Sequence, residues 1–234
     1  MKIRIRAFRS IDHIEASYKY AEGHKKVLEI YGVTQVTSAN IDWIDNPSVI
    51  VIQAESISGD IVLGGARIHL TGQHPLPIED AIHEFDPTIH DMVKKYAEQG
   101  TGELCGLWNA KEVAGYGIGT LFLMRAAISL TNQLKLNSLL AFCAQHTLEI
   151  TTSKGFEIKH QLGKNGTFYY PKEDLVATAV IIRDPDILSK ANPFERKNIL
   201  ELRNNPLQTR KEESAKGELE IEYELLLSNV FKLA

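Results

Sequence analysis

The spacing of apolar residues changes along this chain, and each change of period marks an element. Ile11, Ile14, Tyr18 and Ala21 recur at helical intervals behind Ser10, which predicts a capped helix over 11–22. A second short helix is expected over 23–31, closed by Gly32. After Asn46-Pro47, the β-branched run at 49–52 reads as a strand, and 61–70 as its hairpin partner across the Gly59-Asp60 turn. Gly64 and Gly65 inside that partner point to a bulge or to close approach of another group. The stretch 71–102 is polar, is punctuated by Pro75, Pro77 and Pro87, and is expected to hold one or two helices.

Residues 103–108 are strand-like and lead into glycines 115, 117 and 119. Helix spacing follows over 119–134, with Leu121, Met124, Ala127, Ile128 and Leu134 on one face. The almost wholly apolar segment 138–144 fits a strand buried on both faces, and 147–154 a helix ended by Gly155. A strand is expected at 175–182. Asn192-Pro193-Phe194-Glu195 has the cap residue, the proline and the glutamate of a helix start. Finally, Leu219, Ile221, Tyr223 and Leu225 alternate with four glutamates, as in a strand with one buried face. The order indicates an α/β domain with a mixed sheet over 1–182, and an extension of helix and strand over 183–234. The final strand must pair with something. It completes its own sheet or crosses to a second copy as a homodimer, and the rigid helix before it favours the second.

Composition narrows the function classes. The 234 residues are 44% hydrophobic and carry a net charge of −4, enough apolar material for one substantial core. There is no basic stripe, which argues against a nucleic-acid partner. No apolar run approaches the roughly 18 residues of a membrane span, and the first residues lack a signal-peptide pattern. Two cysteines make no disulfide framework, so a reducing, cytoplasmic setting is expected.

The chemistry centres on the strand and the glycine loop. Alternating glycines at a helix start let the backbone approach a ligand and aim successive N–H groups at an anion. A P-loop would place Lys-Ser or Lys-Thr after the last glycine, where this chain has Thr120-Leu121. A dinucleotide site would need G-x-G-x-x-G and an acidic residue after the next strand, where Cys143-Ala144-Gln145-His146 stands. His146, after the apolar strand, is a candidate proton carrier. Cys105 and Cys143 read as core filler. His83 and His90 have no metal-ligand spacing, so no metal is expected. Trp43 and Trp108 suit a core or the wall of a ligand pocket.

From about residue 49 to 158 the chain resembles the GNAT superfamily of acyl-CoA-dependent N-acyltransferases. The shared order is hairpin, central strand, Gly-x-Gly-x-Gly helix start, apolar strand, short helix and Gly155-Phe156. The resemblance implies a GNAT-like mixed sheet flanked by helices, and an acyl-CoA or acetyl-CoA donor, or an acyl-carrier protein, with a primary amine as acceptor. Leu107, Trp108 and Asn109 would pair with the pantetheine amides, and Glu103, on the central strand where related enzymes place a carboxylate, would be the general base for the amine. Gly115, Tyr116, Gly117, Ile118, Gly119 and Thr120 would take the pyrophosphate. The chain departs from the family at Ala114, where Arg or Gln is usual, and at Ala144 and Thr151, where Asn and the acid Tyr are usual. These departures favour the competing class, a non-catalytic acyl-CoA-binding module. The long insertion, the segment Gly65-Ala-Arg-Ile-His-Leu-Thr-Gly72, and Asp42 with Asp45 are similar to autoinducer and long-chain N-acyl amino acid synthases. Their Glu-x-Ser-Arg is replaced by Glu103-Leu-Cys-Gly106, which argues against lactone formation.

Overall fold

The computed structural model describes residues 1–33 and 40–227. The alternation of Ile3 and Ile5, both buried, with Lys2, Arg4 and Arg6 makes Lys2–Arg9 the first strand, β1. One helix, α1 (Ile14–Ile30), follows where two were expected. Gly23 does not end it. A Cβ at Gly23 would lie 2.1 Å from Cη2 of Trp108, so this glycine is a notch in the helix face that admits an indole.

The hairpin is β2 (Val49–Ser56) and β3 (Val62–Leu70). The insertion holds α2 (Pro77–Ile82) and α3 (Thr88–Ala97). Then come β4 (Thr101–Asn109), a turn of π-helix (Ile118–Leu123) continuing into α4 (Met124–Ser129), β5 (Ser138–Ala144) and α5 (Leu148–Ser153). The short strands β6 (Glu157–Ile158) and β7 (Thr167–Tyr169) precede β8 (Val176–Ile182). The chain continues as α6 (Pro193–Asn204), β9 (Leu207–Glu212) and β10 (Leu219–Glu224). Asn192 caps α6, its Oδ1 accepting the Glu195 N–H at 2.8 Å. No helix among the described residues is long and apolar enough to cross a membrane.

The strands form one mixed sheet in the order β6-β8-β5-β4-β3-β2-β1-β10-β9, with β7 beside β6 on the same edge of β8. Strands β4 and β5 are parallel, as are β1 and β10. One face packs on the π-helical turn, α4 and α6, through Ile50, Ile52, Ile68, Leu104, Phe122, Ile128 and Ile199. The other face carries α1 over Val49, Val51 and Trp108, and the insertion helices over Leu140, Ala179 and Ile181.

The C-terminal strand corrects the preference for a second copy. β10 adds in parallel to β1 of its own chain, with Lys2 opposite Glu220, Arg4 opposite Glu222 and Arg6 opposite Glu224. Lys2 Nζ lies 2.8 Å from Glu222, and Arg4 Nε 3.1 Å from Glu224. The glutamate face is therefore a half-exposed charge ladder rather than a bare solvated surface. Beneath it, Leu219, Ile221, Tyr223 and Leu225 are all buried. A second lock is ionic. Arg125 of α4 makes paired 2.7 Å hydrogen bonds to Glu195 of α6 and lies 3.5 Å from Glu212 of β9. Residues 228–234 of the expected extension lie outside the described residues.

Candidate functional site

The site begins with a break in the sheet. Parallel pairing between β4 and β5 runs from Thr101↔Ser138 to Leu104↔Ala141 and stops, although β4 continues to Asn109 and β5 to Ala144. Beyond that point β4 pairs with β3 and β5 with β8. Gly106 is the cause. Gly106 and Leu107 together oppose Ala66 of β3, and Gly106 has φ +59°, which makes a bulge that bends β4 away. Tyr20 of α1 donates its hydroxyl hydrogen to the Gly106 carbonyl and ties down the bend. Past Leu104↔Ala141 the facing edges of β4 and β5 no longer pair with each other, which leaves an opening walled by their backbone groups.

The glycine loop stands at the open end. Gly117 has φ +72°, and Leu121 and Phe122 both donate N–H groups to its carbonyl as the π-helical turn starts. At Gly119 a Cβ would lie 2.9 Å from Oδ1 of Asn109, so the helix start abuts the end of β4. The first N–H groups of a helix have no acceptor within it, and here they face the end of the opening's β4 wall.

Several solved structures with this architecture are described as enzymes of acyl transfer. An N-acyl amino acid synthase from uncultured soil microbes, FeeM, superposes with TM-score 0.58 at 14% identity, covering 81% of this chain and 95% of its own. A CoA-dependent acyl-homoserine lactone synthase, BjaI, solved with SAM and isopentyl-CoA, gives 0.53 at 12%, covering 86% and 90%. An acyl-CoA N-acyltransferase from Pseudomonas aeruginosa gives 0.52 at 12%, covering 76% and 98%. No family model and no curated protein matches the sequence. The chain has the GNAT fold. At these identities the likeness concerns the fold.

Within the GNAT fold the expected donor residues gather along one path. Leu107, Trp108 and Asn109 form the β4 wall after the bulge, and residues from Gly115 to Thr120 form the loop beyond it. Their side chains do different things. Leu107 packs into the main core, and Trp108 turns to the opposite face, where it meets Gly23 and the edge of Tyr20 at 5.9 Å. Trp43 is buried beside it, so neither tryptophan lines the opening with its ring exposed.

On the α1 side of the sheet lies a buried polar cluster that spacing alone did not reveal. The fully buried Arg67 guanidinium stacks 4.3 Å over the Trp43 ring and 5.5 Å from that of Tyr20. Burial and this nearby positive charge hold His24 down to about 3, and His69 well below the usual imidazole range. Both imidazoles are therefore neutral at physiological pH.

Glu103 joins this cluster one residue before the last β4–β5 pair. It is buried, and its Oε2 accepts the Ile78 N–H of α2 at 2.7 Å. Burial pushes its pKa up to about 8, against the pull of that N–H and of Arg67. It can therefore exchange a proton near neutrality. His146 is exposed in the turn between β5 and α5. The two are not adjacent. Glu103 pairs with Leu140, and Ala144 lies four residue steps further along β5, about 13 Å at strand rise.

The remaining candidates separate as well. Burial pushes the Cys105 thiol up to about 12, with the Arg67 Nη2 3.9 Å from its sulfur. Such a thiol is a poor nucleophile. His90 Nδ1 lies 2.8 Å from Glu79 Oε1, and the other Glu79 oxygen accepts the Leu76 N–H at the start of α2. Asp42 and Asp45 are exposed in the turn before β2.

Proposed function

We propose that this chain is an N-acyltransferase that binds an acyl thioester in the opening between β4 and β5 and passes the acyl group to a primary amine. The observation that carries this reading is the end of pairing at Leu104↔Ala141, beside a helix-start glycine loop and one residue beyond Glu103. The N–H and C=O groups freed on β4 after the bulge suit the amides of a pantetheine arm. The loop from Gly115 to Thr120 suits its phosphates.

The donor's phosphate end and the acceptor lie on opposite faces of the sheet. The π-helical turn packs on one face, and Glu103 with Arg67 lies on the other under α1 and α2. The thioester carbonyl therefore sits within the opening, reachable from the Glu103 side. The amine nitrogen attacks the carbonyl carbon, a β4 backbone N–H stabilises the oxyanion, and the C–S bond breaks. Glu103, as carboxylate, takes the proton that the amine loses. His146, at the β5 end of the opening, supplies one to the departing thiolate. A base and an acid this far apart serve one carbon through intervening water.

One observation favours the non-catalytic reading. Glu103 is sealed beneath α2, with one carboxyl oxygen already occupied by the Ile78 N–H. Glu103→Gln separates the two. Acyl-CoA affinity by calorimetry should be retained in this variant, while acyl transfer to a panel of primary amines falls at least about a hundredfold. Unchanged transfer would remove Glu103 from the mechanism. No transfer by the wild-type chain to any amine, with acyl-CoA affinity intact, would favour the binding module.

A further inference from the structure

The β9–β10 hairpin of the C-terminal extension reaches back across the sheet to the glycine loop. Its turn is held by Ser214, whose Oγ donates to the Gly217 carbonyl at 2.6 Å and accepts the Lys216 N–H at 3.2 Å. From this turn Lys216 lies along the loop. Its Cε is 2.9 Å from the position a Cβ on Gly115 would take, and Gly115 has φ +86°. The lysine methylenes thus occupy the space that any side chain at 115 would fill. The Lys216 ammonium then stands 5.7 Å from the centre of the Tyr116 ring, the next residue of the loop.

Two further facts bear on this exposed lysine. Lys211, on the same hairpin, is paired with Glu218 at 3.1 Å. Lys216, by contrast, has no carboxylate within ion-pair distance among the described residues. The hairpin is also fixed at both ends, by the β1–β10 charge ladder and by the Arg125–Glu195–Glu212 cluster. The cation is therefore delivered to the loop by a rigid arm.

We propose that Lys216 binds the diphosphate of a free coenzyme A thioester, and so selects that donor over an acyl group on a carrier protein. This rests on the donor-binding reading above. The loop supplies backbone N–H groups, which orient but carry only partial charge, and Lys216 supplies the full positive charge that a diphosphate needs. A carrier-protein arm presents one phosphodiester at this position and would gain less. The loop itself has Ala114 where the resemblance leads one to expect Arg or Gln.

Calorimetry with coenzyme A, dephospho-coenzyme A and pantetheine tests this on the wild-type chain, Lys216→Met and Lys216→Arg. Methionine retains the apolar contact over Gly115 without the charge. Lys216→Met should bind coenzyme A and dephospho-coenzyme A about tenfold more weakly, the loss of one charge-assisted contact. Its affinity for pantetheine and its melting temperature should be unchanged, and Lys216→Arg should restore most of the lost affinity. Equal coenzyme A affinity in Lys216→Met and wild type would overturn the role of Lys216 and leave the donor site standing. Equal weakening toward pantetheine would make the residue structural and also overturn it. A wild-type chain with no affinity for coenzyme A would overturn both readings.

Discussion

The indole of Trp108 is seated against Gly23 so closely that the helix could not carry even a methyl group there. Cη2 and Cζ2 lie 2.1 and 2.6 Å from the place of its Cβ. This contact joins α1 to the β4 wall of the opening, and the Tyr20 hydroxyl on the Gly106 carbonyl joins them again two residues away on β4. Two contacts from α1 therefore hold the part of β4 that carries the bulge.

Gly23→Ala tests that seat. In an exposed helix interior this change stabilises by about 0.5–1 kcal/mol. Here the methyl group must displace a buried indole, and overpacking of this kind costs about 1–3 kcal/mol. The expected sign is therefore destabilisation, read by denaturant unfolding, together with a change in tryptophan emission as Trp108 moves. A more stable variant would contradict the packing.

Glu103 makes stability depend on pH in a defined direction. Its folded pKa of about 8 lies above the ordinary carboxylate value. The folded state therefore holds a proton that the unfolded state releases, so this group's contribution is fully present below about pH 4.5 and is lost as pH rises through about 8. Glu103→Gln cannot lose that proton. Its melting temperature relative to wild type should rise between pH 5 and pH 9, and a pH-independent difference would show that Glu103 titrates normally. Under the proposed mechanism, wild-type turnover should also climb through the same range as the carboxylate forms.

Arg125→Ala probes the ionic lock of the extension. The Arg125 and Glu195 side chains are only 5% and 7% exposed, and Lys154 approaches the same carboxylate at 3.6 Å. Removing the arginine leaves Glu195 buried without its main counter-charge, a loss of about 3–5 kcal/mol, while Glu212 keeps Arg210 at 3.2 Å. Chemical denaturation would measure it, and added amide exchange in α6 and β9 would locate it. A loss below 1 kcal/mol would show the cluster to be solvated.

Truncation after Gly217 removes β10 and its buried face. Each of Leu219, Ile221, Tyr223 and Leu225 contributes on the order of 1.5–3 kcal/mol by burial, and their sum is comparable with the whole stability of a domain. The truncated chain should lose cooperative thermal unfolding and become poorly soluble, because β1 then presents an open edge. A well-folded truncated monomer would contradict the parallel β1–β10 pairing.

The insertion leads to a prediction on acyl length. Phe142 stands just past the end of β4–β5 pairing, within 5.8 Å of Phe168 and 5.3 Å of Tyr170, beneath the roof of α2 and α3. An acyl chain entering this aromatic wall would gain about 0.8 kcal/mol for each methylene buried. Thermal shifts should grow from acetyl-CoA to octanoyl-CoA in the wild type and grow less in Phe142→Ala. A flat series would leave the wall a purely structural feature.

Local pattern determined much of this protein. The run 138–144 is β5 at the expected bounds, Asn192-Pro193 starts α6, and the alternation after 218 is β10. Each is legible because neighbours in sequence decide it, through period, cap chemistry and β-branching. The glycine loop was legible for the same reason. What lay between distant segments was not. Gly23 carries the local signature of a helix end, and only the Trp108 ring, 85 residues away, makes it a notch. The alternation of β10 is plain by itself, but the strand it joins is not. Yet the basic alternation Lys2-Ile-Arg-Ile-Arg6 and the acidic one Glu220-Ile-Glu-Tyr-Glu224 are complementary, a signal visible only when the two are compared. The break after Leu104↔Ala141 and the burial of Arg67 and Glu103 depend on how the bulge, α1 and α2 close over one another. Those are many-body consequences of packing, and no spacing along the chain encodes them.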